Sequence, residues 1–170
     1  TVLGQDATAA GAAPEPVVQE SAPVMDVSLA TDFIAEGLEY IDQIEVNILN
    51  LEQNPEDVNC INAIFRPFHS IKGVAGFLNL EKIRDLAHNL ESLLDKARNQ
   101  ELLVTPALID VVLDGADALK ALILQLKETI EGQTSTPLQI DLAALHQQIL
   151  AAEKGEEEKN PAKRRLGEIL

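Results

Sequence analysis

The chain has 170 residues, a formal net charge of −15 and a pI near 4.4. This length fits one domain of ordinary size with tails. The negative charge argues against nucleic acid, or an anionic membrane surface, as a partner bound through bulk electrostatics. The single cysteine, Cys60, excludes an internal disulfide framework. No apolar run reaches the roughly 20 residues that span a bilayer, so we expect a cytoplasmic protein without direct membrane contact.

The amino-terminal part predicts a linker followed by a helix. Residues 1–27 are rich in alanine, proline and small polar residues, contain no Lys or Arg, and show no helical period, as expected for a disordered linker. From Ser28 the apolar residues recur with a helical period, and Ile34, Ile41 and Ile48 repeat every seven positions. This pattern predicts an amphipathic helix.

A second helix is predicted to begin at the segment 54–57, with Asn54 as cap and Pro55 in the first helical position. It ends near Asn79. The apolar period crosses Pro67 unbroken, which favours a kinked helix over a break between two helices. Three phenylalanines on this helix are expected to place most of their area in the core: Phe65, Phe68 and Phe77.

Three further helices are predicted at about 80–99, 105–132 and 141–155, separated by capping residues, proline and glycine. Together with the first two helices they predict an all-α fold, an antiparallel four-helix up-down bundle with an additional short C-terminal helix. Residues 155–170 mix charge runs with a proline and indicate a linker or the start of a following domain.

The short motif from His69 to Gly73 contains the most informative residues. Lys72 lies beside His69 on a helical surface, and Gly73 leaves open space next to the imidazole ring. A glycine inside a helix costs about 1 kcal/mol relative to alanine. A close approach of a phosphate or partner would explain that cost, whereas a packing glycine beside an ordinary surface histidine is an equally good explanation at this point.

The turn near Asn79 is expected to bring four polar side chains together. In an antiparallel hairpin, residues equidistant from the turn lie level, so His69 is expected opposite Glu91 and Lys72 opposite His88. A carboxylate that accepts a hydrogen bond from imidazole Nδ1–H would leave Nε2 free as a nucleophile. Glu91 suits this role, and Lys72 would steady an added phosphoryl group.

These residues resemble the histidine phosphotransfer domains, most closely the amino-terminal domain of chemotaxis sensor histidine kinases. The segment FRPFHSIKGVAGF at 65–77 carries the likeness, together with a second histidine and a glutamate on the next helix. The likeness covers about residues 28–154. It implies that His69 is the phosphoacceptor. It also implies that Lys72, His88 and Glu91 form the hydrogen-bond network of His69, and that Gly73 leaves space beside it.

The resemblance also implies the rest of the pathway. Phosphate would come from the ATP-binding domain of the parent kinase, using ATP and Mg²⁺, and would pass to an aspartate of a response-regulator receiver domain in chemotaxis or related signalling. The fragment alone would be no catalyst and would bind no cofactor, consistent with its lack of a Walker motif or kinase glycine loop. The parent chain would be a dimeric, receptor-associated protein-histidine kinase.

Several alternatives remain open from the sequence. The protein would also fit a stand-alone or hybrid phosphorelay protein, and less well a helical adaptor or a metal-binding bundle, since only one reversed His-x-x-Glu pair is present. Arg66 suits a phosphate contact or an ordinary surface charge. Asn79 stands where the family would have a glycine, but asparagine tolerates the left-handed conformation.

Overall fold

The computed structural model describes residues 25–133 and 140–155. These residues contain no β-strand, and the all-α prediction is confirmed. The predicted linker up to residue 24 and the predicted tail from 156 to 170 lie outside the described part of the chain. The described residues form five helices: α1 (Val27–Gln53), α2 (Val58–Phe77), α3 (Glu81–Arg98), α4 (Pro106–Ile130) and α5 (Leu142–Glu153).

The first four helices form a closed bundle. Helix α1 packs against α2 and α4, and α3 packs against the same two helices from the other side. The short connections 54–57, 78–80 and 99–105 make neighbouring helices antiparallel. Helix α5 lies against α3 and α4. None of the described helices is long and apolar enough to cross a membrane.

Helix α2 begins later than the sequence pattern predicts. The chain at 54–57 forms a turn in which the Asp57 backbone N–H donates to the Asn54 carbonyl at 3.0 Å. Pro55 therefore occupies the second position of a turn, which its fixed φ suits equally well. The cap is Asp57, whose carboxylate accepts from the Asn59 backbone N–H at 2.9 Å. The expectation that Asn54 caps this helix is wrong.

Helix α2 is unbroken through Pro67, which is buried. Its phenylalanines differ in environment: Phe68 is fully buried, Phe65 is half-buried, and Phe77 is 75% exposed. The expectation that Phe77 lies mostly in the core is wrong, because the core-facing stripe of α2 ends at Ala75 and the helix ends two residues later.

The turn between α2 and α3 sets the register of the two helices. Asn79 adopts a left-handed conformation with φ of 59°. The Leu80 N–H donates to the Ala75 carbonyl at 2.8 Å, and the Asn79 N–H donates to the Gly76 carbonyl at 3.3 Å. This is the Schellman arrangement, which satisfies carbonyls at the end of α2 and reverses the chain within three residues. The asparagine replaces the expected glycine without loss of the turn.

Two helical glycines provide a test of the packing. A Cβ on Gly115 would lie 2.5 Å from a methyl group of the fully buried Leu90, whereas a Cβ on Gly73 would meet nothing within 4 Å. Gly73→Ala should therefore gain up to about 1 kcal/mol from helix propensity. Gly115→Ala should lose about 1 kcal/mol overall, because overpacking of about 1–3 kcal/mol exceeds that gain. Urea unfolding measures both, and equal effects would contradict this account of the interface between α3 and α4.

Candidate functional site

The site lies where the middle of α2 faces the middle of α3. His69 of α2 and Glu91 of α3 are joined through Nδ1 and Oε1 at 2.8 Å. The His69 side chain is 61% exposed and that of Glu91 is 11% exposed. The predicted pairing of His69 with Glu91 is thus present, and it leaves the histidine ring open to solvent on its other side.

The ionisation of Glu91 determines which way this hydrogen bond runs. Burial by itself would raise the pKa of the Glu91 carboxyl, but hydrogen bonds from Lys72 and His69 and the positive charge of these groups outweigh burial and lower the pKa. Glu91 is therefore a carboxylate at neutral pH and can only accept hydrogen bonds. His69 must donate through Nδ1–H, so in the neutral imidazole Nε2 holds the free lone pair.

Lys72 contacts Glu91 and not His88, the residue that the sequence placed opposite it. Its Nζ atom lies 2.6 Å from Oε2 of Glu91, forming the second arm of a bridge from α2 to the same carboxylate. The sequence prediction placed Lys72 level with His88, but a buried carboxylate with one oxygen already occupied by His69 attracts the nearest cation to the other. Lys72 therefore holds Glu91 in place.

The two remaining predicted polar residues stand apart from this bridge. His88 on α3 is exposed, and Arg66 is exposed three residues before His69. Neither side chain forms a hydrogen bond or an ion pair with another residue of the described ranges 25–133 and 140–155. The structure brings together His69, Lys72 and Glu91 of the predicted set, while His88 and Arg66 lie in solvent with their polar groups available.

The surface beside the histidine is open and partly apolar. Gly73, one turn after His69, is exposed and touches no other part of the described chain at its missing Cβ. Val74 and Phe77 follow on the same helix, 37% and 75% exposed. His69, Gly73 and Phe77 recur every four residues and therefore share one side of α2, and we call the patch that they form the His69 surface. The packing explanation for Gly73 is thereby removed.

Sequence reasoning missed one set of contacts at the site. The rings of Phe65 and His69 are nearly parallel, with an interplanar angle of 13° and centroids 6.0 Å apart. The guanidinium carbon of Arg98, on the last turn of α3, lies 4.1 Å from the centroid of the same Phe65 ring. The four-residue spacing of Phe65 and His69 was a usable signal, but the contact with Arg98 depends on the packing of α3.

Metal ligation finds no support in the described residues. Across 25–133 and 140–155 there is no group of three or more His, Cys, Asp or Glu side chains placed to hold a metal ion. His146 on α5 faces Asn89 instead, with Nδ1 at 3.0 Å from the amide nitrogen. This contact joins α5 to α3.

Comparison with known sequences points to one family. The sequence model of the Hpt domain matches residues 28–130. The sensor histidine kinase CheAY of Helicobacter pylori is 42% identical over 98 residues, which are 58% of this chain and 12% of that protein. The chemotaxis protein CheA of Treponema pallidum is 34% identical over 95 residues, 56% of this chain and 12% of that protein. The chain thus spans only a small part of the length of these relatives.

Solved structures give the same result for the fold. The CheA phosphotransferase domain from Thermotoga maritima has a TM-score of 0.58 at 35% identity, covering 60% of this chain and 97% of that one. A solution structure of the histidine phosphotransfer domain of CheA has a TM-score of 0.62 at 28% identity, covering 84% and 99%. The phosphorylated P1 domain of CheA3 from R. sphaeroides, in complex with CheY6, shares the fold with a TM-score of 0.64 at 21% identity, covering 76% and 98%.

The charge of Glu91 predicts a dependence of stability on pH. Because the pKa of Glu91 is lower in the folded chain than its unfolded value of about 4.3, the carboxylate stabilises the fold at pH values above about 4.3. That contribution is lost as the pH falls through the folded-state pKa. Glu91→Gln should therefore unfold more easily than wild type by about 1 kcal/mol at pH 6, and the difference should shrink in acid.

The control is Glu39→Gln, which changes an exposed carboxylate on α1. Urea unfolding of the three proteins between pH 6 and pH 3 measures the difference at each pH. A gap between wild type and Glu91→Gln that stays constant over this range would contradict the charged bridge.

Proposed function

This chain belongs to the Hpt domain family, and from that premise we propose that His69 accepts a phosphoryl group and passes it to an aspartate of a response-regulator receiver domain. The observation that supports His69 most directly is its Nδ1 contact of 2.8 Å with a buried carboxylate while the ring is 61% exposed. A histidine kept only for packing or stability needs no such exposure.

The contacts at the site suit attack by Nε2. The lone pair of Nε2 forms a bond to the phosphorus of the donor while the bond from phosphorus to the leaving oxygen breaks, and the leaving group departs with that electron pair. The imidazole ring becomes positively charged. Glu91 stabilises that charge through the Nδ1–H bond, and Lys72 acts through Glu91 by fixing its second oxygen. Transfer onward reverses these steps with an aspartate oxygen as the nucleophile.

The phosphoryl donor in this proposal is the ATP-binding domain of a parent kinase, which supplies ATP and Mg²⁺. The relatives in the CheA group are much longer than the matched region. We infer that this chain is one module of a protein-histidine kinase in chemotaxis or related signalling, acting with dimerisation and receptor-coupling parts elsewhere in the protein. The module itself needs no bound cofactor.

The distribution of charge favours an anionic ligand at His69 despite the acidic composition. Residues 1–65 contain no Lys or Arg, and the first basic residue along the chain is Arg66. Arg66 and Lys72 therefore flank His69 on α2 in a protein that is otherwise strongly negative. Since exposed Arg66 forms no ion pair within the described ranges, it is available to contact a phosphoryl oxygen.

The His69 surface is the docking site in this proposal. Phe77 lies about 12 Å along the helix from His69, and its ring is 75% exposed. An exposed aromatic ring next to an open glycine is typical of a surface that a partner covers. The structural relative whose phosphorylated domain is in complex with CheY6 makes a receiver domain the natural partner for transfer, with the kinase domain using the same surface at a different time.

Labelling identifies the phosphoacceptor. The chain contains three histidines, so His69→Gln can be compared with His88→Gln and His146→Gln as matched controls. With the ATP-binding portion of a CheA-type kinase and radiolabelled ATP, His69→Gln should take up no label, while both controls should take it up. The label should be lost in acid and kept in alkali, as a phosphohistidine is. Equal labelling of His69→Gln and wild type would overturn the assignment.

Gly73→Ala tests whether the glycine gives a partner access to His69, because the change should affect phosphoryl transfer without unfolding the bundle. The added methyl group touches nothing within 4 Å in the described chain, so it should leave the bundle intact. It lies one turn from His69 on the docking face and should slow phosphoryl transfer by about tenfold, which is about 1.4 kcal/mol at the transition state. Initial rates of labelling and urea unfolding are measured on the same preparation. An unchanged rate would show that the glycine does not provide clearance.

A further inference from the structure

Phe65 connects the ring of His69 to the far end of α3. It lies one helical turn before His69, and the two rings are 13° from parallel with centroids 6.0 Å apart. This separation falls within the range of about 4.5–7 Å in which aromatic rings attract each other in offset stacks. Phe65 is half-buried and also packs against the hydrophobic core, so its ring has little freedom to move with the solvent-exposed imidazole.

Arg98 holds the Phe65 ring from a second helix. Its guanidinium carbon lies 4.1 Å from the Phe65 centroid, close enough for a cation–π attraction of about 0.5–1 kcal/mol at a partly exposed site. Asp95 forms an ion pair with Arg98 on the same helix, which orients the guanidinium group. Phe65 is therefore held between its own helix and the last turn of α3.

The hydrogen bond to Glu91 does not hold the imidazole rigidly. The ring turns about its χ1 and χ2 torsions, and a carboxylate oxygen accepts a hydrogen bond from Nδ1 over a broad range of angles, so the ring plane can still tilt. A nearly parallel neighbouring ring restricts that tilt. The two contacts together define both the plane of the imidazole and the direction in which the Nε2 lone pair points. Displacements of about 1 Å at a reacting atom can lower rates by as much as about a hundredfold.

We propose that Phe65 is a positioning residue for phosphorylation of His69, and that Arg98 acts through it by holding its ring. The role rests on the proposed function of His69 as phosphoacceptor. Phe65 touches neither donor nor phosphate and exerts its effect only through the orientation of the imidazole plane.

The test uses the 170-residue chain with phosphoramidate as a chemical donor, so that no kinase surface is involved. In this reaction a bond from Nε2 to phosphorus forms, the bond from phosphorus to nitrogen breaks, ammonia leaves, and the imidazole takes up the positive charge. Phosphorus NMR follows the rate. Phe65→Leu keeps an apolar side chain for the core but removes the ring, and Phe65→Tyr restores a ring at the same position.

Phe65→Leu should react about threefold to tenfold more slowly than wild type, and Phe65→Tyr should recover most of the rate. The ring protons of His69 should lose their upfield ring-current shift in Phe65→Leu only. The Nδ1–H tautomer, measured by nitrogen NMR, should persist in all variants because Glu91 is unchanged. A merely structural role would not separate the leucine and tyrosine variants in this way when both are folded.

Arg98→Met tests the second contact without disturbing the core. It should slow the reaction by about twofold, and it should have no further effect in the Phe65→Leu background. Arg84→Met is the matched control, since Arg84 lies on the same helix with its own ion pair to Asp85 and is about 21 Å along that helix from Arg98. Equal slowing by Arg98→Met and Arg84→Met would show that Arg98 does not act through Phe65.

The outcomes distinguish this proposal from the one it rests on. If wild-type His69 takes up no phosphoryl group, the proposed function fails and the role of Phe65 fails with it. If wild type reacts and folded Phe65→Leu reacts at the same rate, the positioning role alone is overturned. Should Phe65→Leu fail to fold, the comparison of Arg98→Met with Arg84→Met decides the matter, because both arginine side chains are partly exposed, to 33% and 41%, and neither belongs to the core.

Discussion

The buried carboxylate of Glu91 is the constraint on which the site depends. Removing a carboxylate from water costs several kcal/mol unless its oxygens are paired. Here both oxygens are paired by donors from α2, His69 on one and Lys72 on the other. Because the two donors lie on one helix and the acceptor on its neighbour, a shift of α2 along α3 by even one residue, about 1.5 Å, would break both contacts. The bridge therefore fixes the relative position of the helices that build the site.

The local structure of the chain supports the same register. Asn79 adopts the left-handed conformation two residues before α3 begins at Glu81, and the Schellman hydrogen bonds close the turn between α2 and α3. On the opposite side of α3, the absent side chain of Gly115 gives Leu90 the space it occupies. Leu90 directly precedes Glu91 in the sequence. Two adjacent residues of α3 therefore make its close contact with α4 and its polar contact with α2. The hydrophobic core and the polar site are parts of one arrangement.

Much of this arrangement could be predicted from the sequence, and the failures have physical causes. Periodicity gave the helices, and counting from the turn at Asn79 placed His69 opposite Glu91, since both depend only on helix geometry. The partner of Lys72 could not be predicted by counting, because long side chains bend toward the nearest buried charge. The exposure of Phe77 was missed for a different reason. Its residue type indicated burial, but α2 continues for two residues beyond Ala75, its last buried residue.

Gly73 has no packing reason in the described chain. A helix-interior glycine lowers stability by about 1 kcal/mol relative to alanine. At Gly115 the packing of Leu90 requires that glycine, but at Gly73 nothing in the described chain does. The open space at Gly73 lies beside an exposed imidazole whose Nδ1 is bound to Glu91, which leaves Nε2, the nucleophile in our proposal, outside that contact. If His69 is the nucleophile, as we propose, its exposed ring and the open surface beside it suit contact with successive partners, and the bundle supplies the rigid support that such a site needs.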